Sequence, residues 1–111
     1  TATQKIADNK PETPASKIFN AARLLNDVQT LAADEMQGRW VGTTGGVKAR
    51  EYVLKRFKES GLQPIGSSYL QPFEFAARNG DKLGGANVLG YIKGRKNPEK
   101  YIVVSAHYDH V

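Results

Sequence analysis

Apolar residues recur at steps of three and four after a polar opening segment, which is the spacing of one face of an α-helix. The members of this stripe are Ile18, Ala22, Leu25, Val28, Leu31 and Ala32. Thr13 or Ser16 can cap the start of the helix, because a hydroxyl side chain accepts a hydrogen bond from the free N–H groups of a first turn. The pattern ends near residues 34–37, and Gly38 supplies the stop. We therefore predict a first amphipathic helix that begins near Thr13 or Ser16 and ends near residues 34–37.

The opening segment, residues 1–14, is polar, contains Pro11 and Pro14, and shows no apolar periodicity. Such a composition is typical of a chain terminus without a packed face. We predict a flexible lead-in over residues 1–14.

A second helix follows a glycine-rich stretch. Thr43 or Thr44 can cap it, and it runs as far as Gly61, a residue type that commonly ends helices. Glu51 and Lys55 stand four positions apart and are expected to pair on the solvent side. The opposite face is apolar and consists of Ala49, Val53 and Phe57, supported by Tyr52 and Leu54.

The second half of the chain changes to strand-like patterning. Residues 69–75 mix aromatic and polar side chains, and Pro72 favours an edge position because it has no N–H to donate. Residues 79–81 predict a turn, and residues 87–93 predict the next strand. Residues 101–106 form a near-continuous apolar run, which is typical of a strand covered on both faces.

Two helices, a hairpin and a covered strand together indicate the opening of a layered α/β domain. In open α/β sheets, functional sites form beyond the carboxyl ends of the strands. The predicted buried strand runs directly into His107, Tyr108, Asp109 and His110. We therefore expect functional side chains at this junction.

Composition narrows that chemistry. The chain has 111 residues and 40% hydrophobic content, which predicts one globular domain or part of one. It contains no cysteine, so any metal must be held by histidine and carboxylates. The net charge of +5 is not accompanied by a nucleic-acid-binding motif, and we expect solvated surface charge and no nucleic-acid partner.

No apolar run reaches about 18 residues, so no transmembrane helix is expected. The chain begins at Thr1 without a leader, which suggests a mature or trimmed start.

His107 and Asp109 are two positions apart, so their side chains share one side if strand geometry persists. An imidazole can bind zinc while a nearby carboxylate fixes its tautomer and raises its basicity. A hydrogen-bonded core histidine and an exposed loop histidine are the alternatives. Spacing alone leaves open whether Asp109 reaches His107.

Four further segments stand in order along the chain: Leu31–Arg39, Gly61–Pro64, Asn87–Gly94 and Ile102–His110. Together they resemble the M28 family of zinc metallopeptidases, the bacterial-leucyl-aminopeptidase-like group, and the resemblance covers the chain from about Ile18 to its end. It implies a three-layer α/β/α sandwich with a mixed sheet. Residues 15–111 would form the N-terminal part of its catalytic domain, truncated before the fold is complete.

The resemblance also implies an activity, namely removal of N-terminal residues from peptides by a pair of zinc ions and a free glutamate base. His107 matches a zinc ligand, and Asp109 matches the catalytic-site carboxylate that orients that histidine. His110 is given no ligand role. The other ligands and the base are expected beyond Val111, so the chain alone is expected to be inactive. Bacterial relatives are often exported, which suggests a periplasmic or extracellular protein.

Other interpretations stay open. The M20 group of amidohydrolases and peptidases also carries a His-x-Asp motif at a strand end, and a non-catalytic interaction fragment is a rival from another class. Asp34, Glu35 and Arg39 are expected to form a local salt-bridge network, and Trp40 to pack rather than to line a substrate pocket. Residues 42–46 follow a helix and lack the lysine of a phosphate-binding loop. An unpaired strand edge at residues 101–106 predicts self-association.

Overall fold

A computed structural model describes residue 16 and residues 18–110 of the chain. Helix α1 spans Ala21–Leu31, a 3₁₀ segment spans Asp34–Arg39, and helix α2 spans Thr44–Glu59. Strands β1, Leu70–Ala76, and β2, Lys82–Val88, form a two-stranded antiparallel sheet. Helices and sheet are both present, as the predicted α/β class requires, whereas the three-layer sandwich stays a prediction. The predicted lead-in over residues 1–14 lies outside the described residues.

Helix α1 begins later than predicted. Its cap is Asn20, whose side-chain oxygen accepts from the N–H of Arg23 at 2.9 Å. Ser16 instead accepts from the backbone N–H of Phe19 at 2.9 Å, a local turn ahead of the helix. Thr13, the other predicted cap, is outside the described residues. The apolar face of α1 exists as predicted but is largely open, since Val28 is 62% exposed.

The end of α1 also differs from the prediction, because the chain changes to the 3₁₀ segment after Leu31. Gln37, Gly38 and Arg39 then adopt three consecutive left-handed conformations, with φ of 47°, 70° and 60°. Only glycine adopts this region freely, so Gln37 and Arg39 each cost on the order of 1–3 kcal/mol. The turn is held in place by its neighbours, notably by the burial of Met36 against α2.

Helix α2 matches the sequence prediction at both ends. Thr43 is the cap, and its hydroxyl accepts from the N–H of Gly46 at 3.2 Å. At the other end Gly61 has a φ of 73°, and the N–H of Leu62 donates to the carbonyl of Phe57 at 3.1 Å. This is the bond that closes a helix ending in a left-handed glycine.

The predicted pairing between Glu51 and Lys55 on α2 is wrong. Glu51 instead contacts its neighbour Arg50 at 3.3 Å, and Lys55 pairs with Glu59 at 3.8 Å. Both arrangements join exposed charges of opposite sign, so little free energy separates them.

Strand β2 lies five residues earlier than predicted. It pairs with β1 in a register that sets Pro72 opposite Ala86, and only its last two residues overlap the predicted strand at 87–93. The sequence signal was weak because Gly84 and Gly85 contribute no side chains to an alternating pattern. Beyond the strand, Tyr91 makes only an isolated bridge with Gln63.

The hydrogen bonds at the two ends of the hairpin fix the direction of every backbone group between them. Leu89 donates to the carbonyl of Tyr69, and Ala77 donates to the carbonyl of Asp81. Hydrogen-bonded pairs alternate with non-bonded pairs in an antiparallel ladder. The pair formed by Pro72 and Ala86 is therefore a non-bonded one. Its backbone groups point away from the partner strand, so the carbonyl of Ala86 lies on the free edge of β2, and Pro72 forfeits no ladder bond.

The predicted covered strand at residues 101–106 is not formed. These residues lie in an extended chain outside any strand, and Ile102, Val103 and Val104 are 97%, 83% and 92% exposed. An apolar β-branched run favours strand geometry, but a strand forms only where a neighbour pairs with its backbone. Among the described residues nothing pairs with this segment. The buried hydrophobic residues of the described part are accordingly few: Met36, Ala49 and Ala86.

Candidate functional site

His107 follows the extended apolar segment, and its side chain is 83% exposed. Its Nδ1 atom lies 2.9 Å from the backbone carbonyl oxygen of Asp109. A carbonyl oxygen can only accept a hydrogen bond, so this contact requires the proton to sit on Nδ1. The neutral ring then keeps a lone pair on Nε2. An exposed Nε2 with a free lone pair is the form of histidine that binds a divalent metal ion.

Asp109 contacts His107 by two oxygens. The carboxylate Oδ1 is 3.4 Å from Nδ1, longer than the bond to the carbonyl of the same residue. The predicted reason for their proximity, side chains on one side of a strand, does not hold because no strand is present there. Residues 107–109 form no regular secondary structure. The contact between the His107 ring and the Asp109 carbonyl, which we call the 107–109 turn, brings the two residues together instead. The backbone of Asp109, more than its carboxylate, orients the ring.

Tyr108, between the two predicted site residues, anchors the turn. Its hydroxyl donates to the carbonyl of Ala86 at 2.6 Å, on the free edge of β2. Burial raises the pKa of this phenol, and Asp109 raises it further, while Arg50 acts in the opposite direction. No role for Tyr108 follows from the sequence alone. The signal that could have revealed it is an aromatic residue with a polar tip between the two polar residues of a His-x-Asp motif.

Arg39 reaches the same turn from the 3₁₀ segment. Its Nε donates to the carbonyl of Tyr108 at 2.8 Å, and its Nη1 donates to the carbonyl of Leu31 at the end of α1. The predicted salt-bridge network with Asp34 and Glu35 is not formed in the described part of the chain, where both carboxylates are exposed and unpaired with Arg39.

A cavity of about 810 Å³ adjoins the turn. It lies between α2, the free edge of β2 and the segment 103–109, and its walls include Phe57, Gly85 and His107. Trp40 is not among the residues that line it and is 52% exposed. The His107 imidazole is therefore part of the cavity wall, whereas the Trp40 indole is not.

The described residues do not bring three or more histidine, cysteine, aspartate or glutamate side chains together around a metal position. His107 and Asp109 are the pair that the structure does bring together, while His110, next in the chain, is exposed. None of the helices in the described part is long and apolar enough to cross a membrane.

Comparison of the chain with protein-family models, with curated proteins and with solved structures finds no match. What can be said about function therefore rests on the sequence motifs and on the geometry of this turn.

Proposed function

We propose that this chain is the N-terminal segment of a zinc-dependent aminopeptidase of the M28 type, and that His107 supplies one of its metal ligands. The observation that carries the proposal is the contact between Nδ1 of His107 and the carbonyl of Asp109, in which Nδ1 is the donor, so that Nε2 of the neutral ring is the nitrogen with a lone pair for a metal ion. The four sequence segments that resemble the M28 family support the same function.

In this proposal each residue of the turn has a physical task. The carbonyl of Asp109 keeps the proton of His107 on Nδ1 and so selects the tautomer that can bind metal. The Asp109 carboxylate, 3.4 Å away, lies close enough to favour positive charge that develops on the ring when Nε2 donates its lone pair. When bound, zinc would polarise a peptide carbonyl and lower the pKa of a water molecule.

The substrate in this proposal is a peptide, which would enter from the cavity between α2, β2 and the segment 103–109. The resemblance assigns the remaining ligands and the general base to positions outside these residues. Catalytic zinc sites use three protein ligands and a water molecule. Peptide hydrolysis is therefore proposed for a complete catalytic domain and not for these 111 residues alone.

Zinc titration of the ¹⁵N-labelled full-length protein, which would carry the remaining ligands, tests the ligand through its imidazole nitrogen signals. We expect added Zn²⁺ to shift the Nε2 signal of His107, and His107→Ala to remove the strongest zinc-binding event. The matched control is His110→Ala, which removes an exposed histidine three positions away and should leave that event in place. Equal zinc uptake by the wild type and the His107→Ala variant would remove the metalloenzyme proposal and favour a non-catalytic binding role.

A further inference from the structure

Arg39 occupies a position that the proposed zinc chemistry does not itself explain. It lies 69 positions before Tyr108 in the chain, yet its Nε donates to the Tyr108 carbonyl at 2.8 Å. The same guanidinium donates through Nη1 to the carbonyl of Leu31. Leu31 is the last residue of α1, and carbonyls at a helix end have no partner within the helix. One side chain thus joins the end of α1 to the turn that carries His107.

This contact controls the geometry of His107 through a rigid element. The peptide group between Tyr108 and Asp109 is planar, so a bond to the Tyr108 carbonyl fixes the orientation of that whole plane. The Tyr108 hydroxyl fixes the same residue from its other end by its 2.6 Å bond to Ala86. Asp109 follows this fixed plane directly, and its own carbonyl lies 2.9 Å from Nδ1 of His107.

We propose that Arg39 is a positioning residue that sets the tautomer and direction of the His107 imidazole by holding the turn 107–109. The inference rests on the proposed function, in which His107 binds metal through Nε2. Arg39 touches neither the ring nor the cation position and acts only through the backbone of Tyr108.

The residue type and the backbone conformation both fit this task. A guanidinium presents several N–H donors in a fixed plane, and Nε and Nη1 can serve acceptors on two different segments at once. A lysine ammonium carries a similar charge at one point and cannot hold both carbonyls in that geometry. Arg39 itself has a φ of 60°, and Gln37 has a φ of 47°. Left-handed conformations of residues other than glycine concentrate at functional sites, where the surroundings enforce them.

The test compares Arg39→Lys with Arg78→Lys in the 111-residue chain. Arg78 lies exposed in the turn between β1 and β2 and makes no contact with residues 107–109 in the described structure, so this control repeats the chemical change elsewhere. In the metal-free chain, the ¹⁵N shifts of the His107 ring report which nitrogen carries the proton. We expect the Nδ1–H form to dominate in wild type and Arg78→Lys, and to give way to the Nε2–H form in Arg39→Lys.

Zinc titration of the full-length protein then gives a second readout. Loss of a group that orients a metal-binding histidine typically weakens metal affinity by about 10–100-fold. We expect a loss of that size in Arg39→Lys and no change in Arg78→Lys. If zinc does not bind His107 in wild type, the proposed function fails, while the tautomer measurement still decides the role of Arg39.

Arg39→Lys could also change the 3₁₀ segment itself, and a loss of helical circular dichroism would reveal this. A second variant is therefore needed. Tyr108→Phe removes the other anchor, the bond to Ala86, without changing the 3₁₀ segment. It should shift the His107 tautomer in the same direction. A His107 ring whose proton stays on Nδ1 in both variants would overturn the inference.

Discussion

The contact between the start of α2 and the 3₁₀ segment gives the sharpest stability prediction. A Cβ atom added at Gly45 would lie 1.9 Å from the carbonyl oxygen of Met36 and 2.7 Å from its carbonyl carbon. Real Cβ atoms essentially never come within 3.0 Å of such an atom. We therefore expect Gly45→Ala to force α2 and the 3₁₀ segment apart by about 1 Å, the difference between 3.0 and 1.9 Å.

The magnitude follows from what this separation disturbs. Met36 is 5% exposed and Ala49 is 0% exposed, and both are buried at this contact. Overpacking a tight contact costs typically 1–3 kcal/mol, and exposing a buried methionine costs on the order of 1.5–3 kcal/mol. Replacing glycine by alanine in a helix returns at most about 1 kcal/mol. The clash outweighs the gain, and we expect Gly45→Ala to lower the free energy of unfolding by roughly 1.5–5 kcal/mol.

Gly84→Ala is the matched control, because it makes the same chemical change on β2 where the nearest non-neighbouring atom, the carbonyl oxygen of Phe73, is 3.9 Å away. That substitution should be neutral or stabilise the chain by up to about 1 kcal/mol, since it reduces the freedom of the unfolded chain. Urea titration followed by circular dichroism at 222 nm measures both variants. A Gly45→Ala chain as stable as wild type would refute the packing argument.

Two further predictions concern the contact between α1 and α2 and the exposed apolar segment. Asp27 accepts bonds from Arg56 at 2.8 Å and from Tyr52 at 2.6 Å, and these bonds, that of Arg56 first, hold its pKa below the usual value. The stabilisation by this carboxylate is therefore complete above about pH 4 and is lost as the pH falls through its lowered folded-state pKa. Asp27→Asn should reduce the acid dependence of the urea midpoint and leave the part due to Glu59, whose pKa Arg56 also lowers. Glu74→Gln on the exposed strand β1 should leave the dependence as it is, and an unchanged dependence in Asp27→Asn would contradict the assignment. Residues 101–106 should pair with a second copy of the chain, since Val104 is 92% exposed and burying it contributes about 1.5–3 kcal/mol per copy, or about 3–6 kcal/mol for the dimer. Val104→Lys should then weaken the dimer by at least about 100-fold, with Ser67→Lys as the charge-matched control, and sedimentation that shows a monomer at every concentration would exclude the pairing.

The sequence predicted well those elements whose signals are local. Helix α2 combines a capping threonine, a three-four apolar repeat and a terminal glycine at Gly61, and its observed bounds agree with these signals within a residue. The start of α1 differs from the prediction because several residues near it can cap a helix. Asn20 is the cap in the structure, and Ser16 forms a local turn ahead of it. Strand β2 was misplaced because two glycines at 84 and 85 leave no alternating pattern to detect.

The candidate site was predictable only in part, for a physical reason. The motif located His107 and Asp109, since the two are close in sequence and residue type alone suggests the chemistry. Arg39 could not be assigned to the site, because its partner is a backbone carbonyl 69 positions away. The charge of Arg39 predicts a salt bridge with the nearby carboxylates of Asp34 and Glu35. In the structure its guanidinium instead donates to two backbone carbonyls, one at the end of α1 and one in the 107–109 turn.

Residues 101–106 and residues 107–109 show that the side-chain bonds around His107 do not require the preceding segment to form a strand. The apolar segment does not form the predicted strand, because a strand must pair with a neighbour and the described residues provide none. The turn that follows is nevertheless held by bonds from Arg39 and to Ala86. The partners in these two bonds lie in the 3₁₀ segment and in β2, and neither element depends on a strand at 101–106. The direction of the His107 ring is therefore set without that strand, and we expect it to stay the same when another strand pairs with residues 101–106.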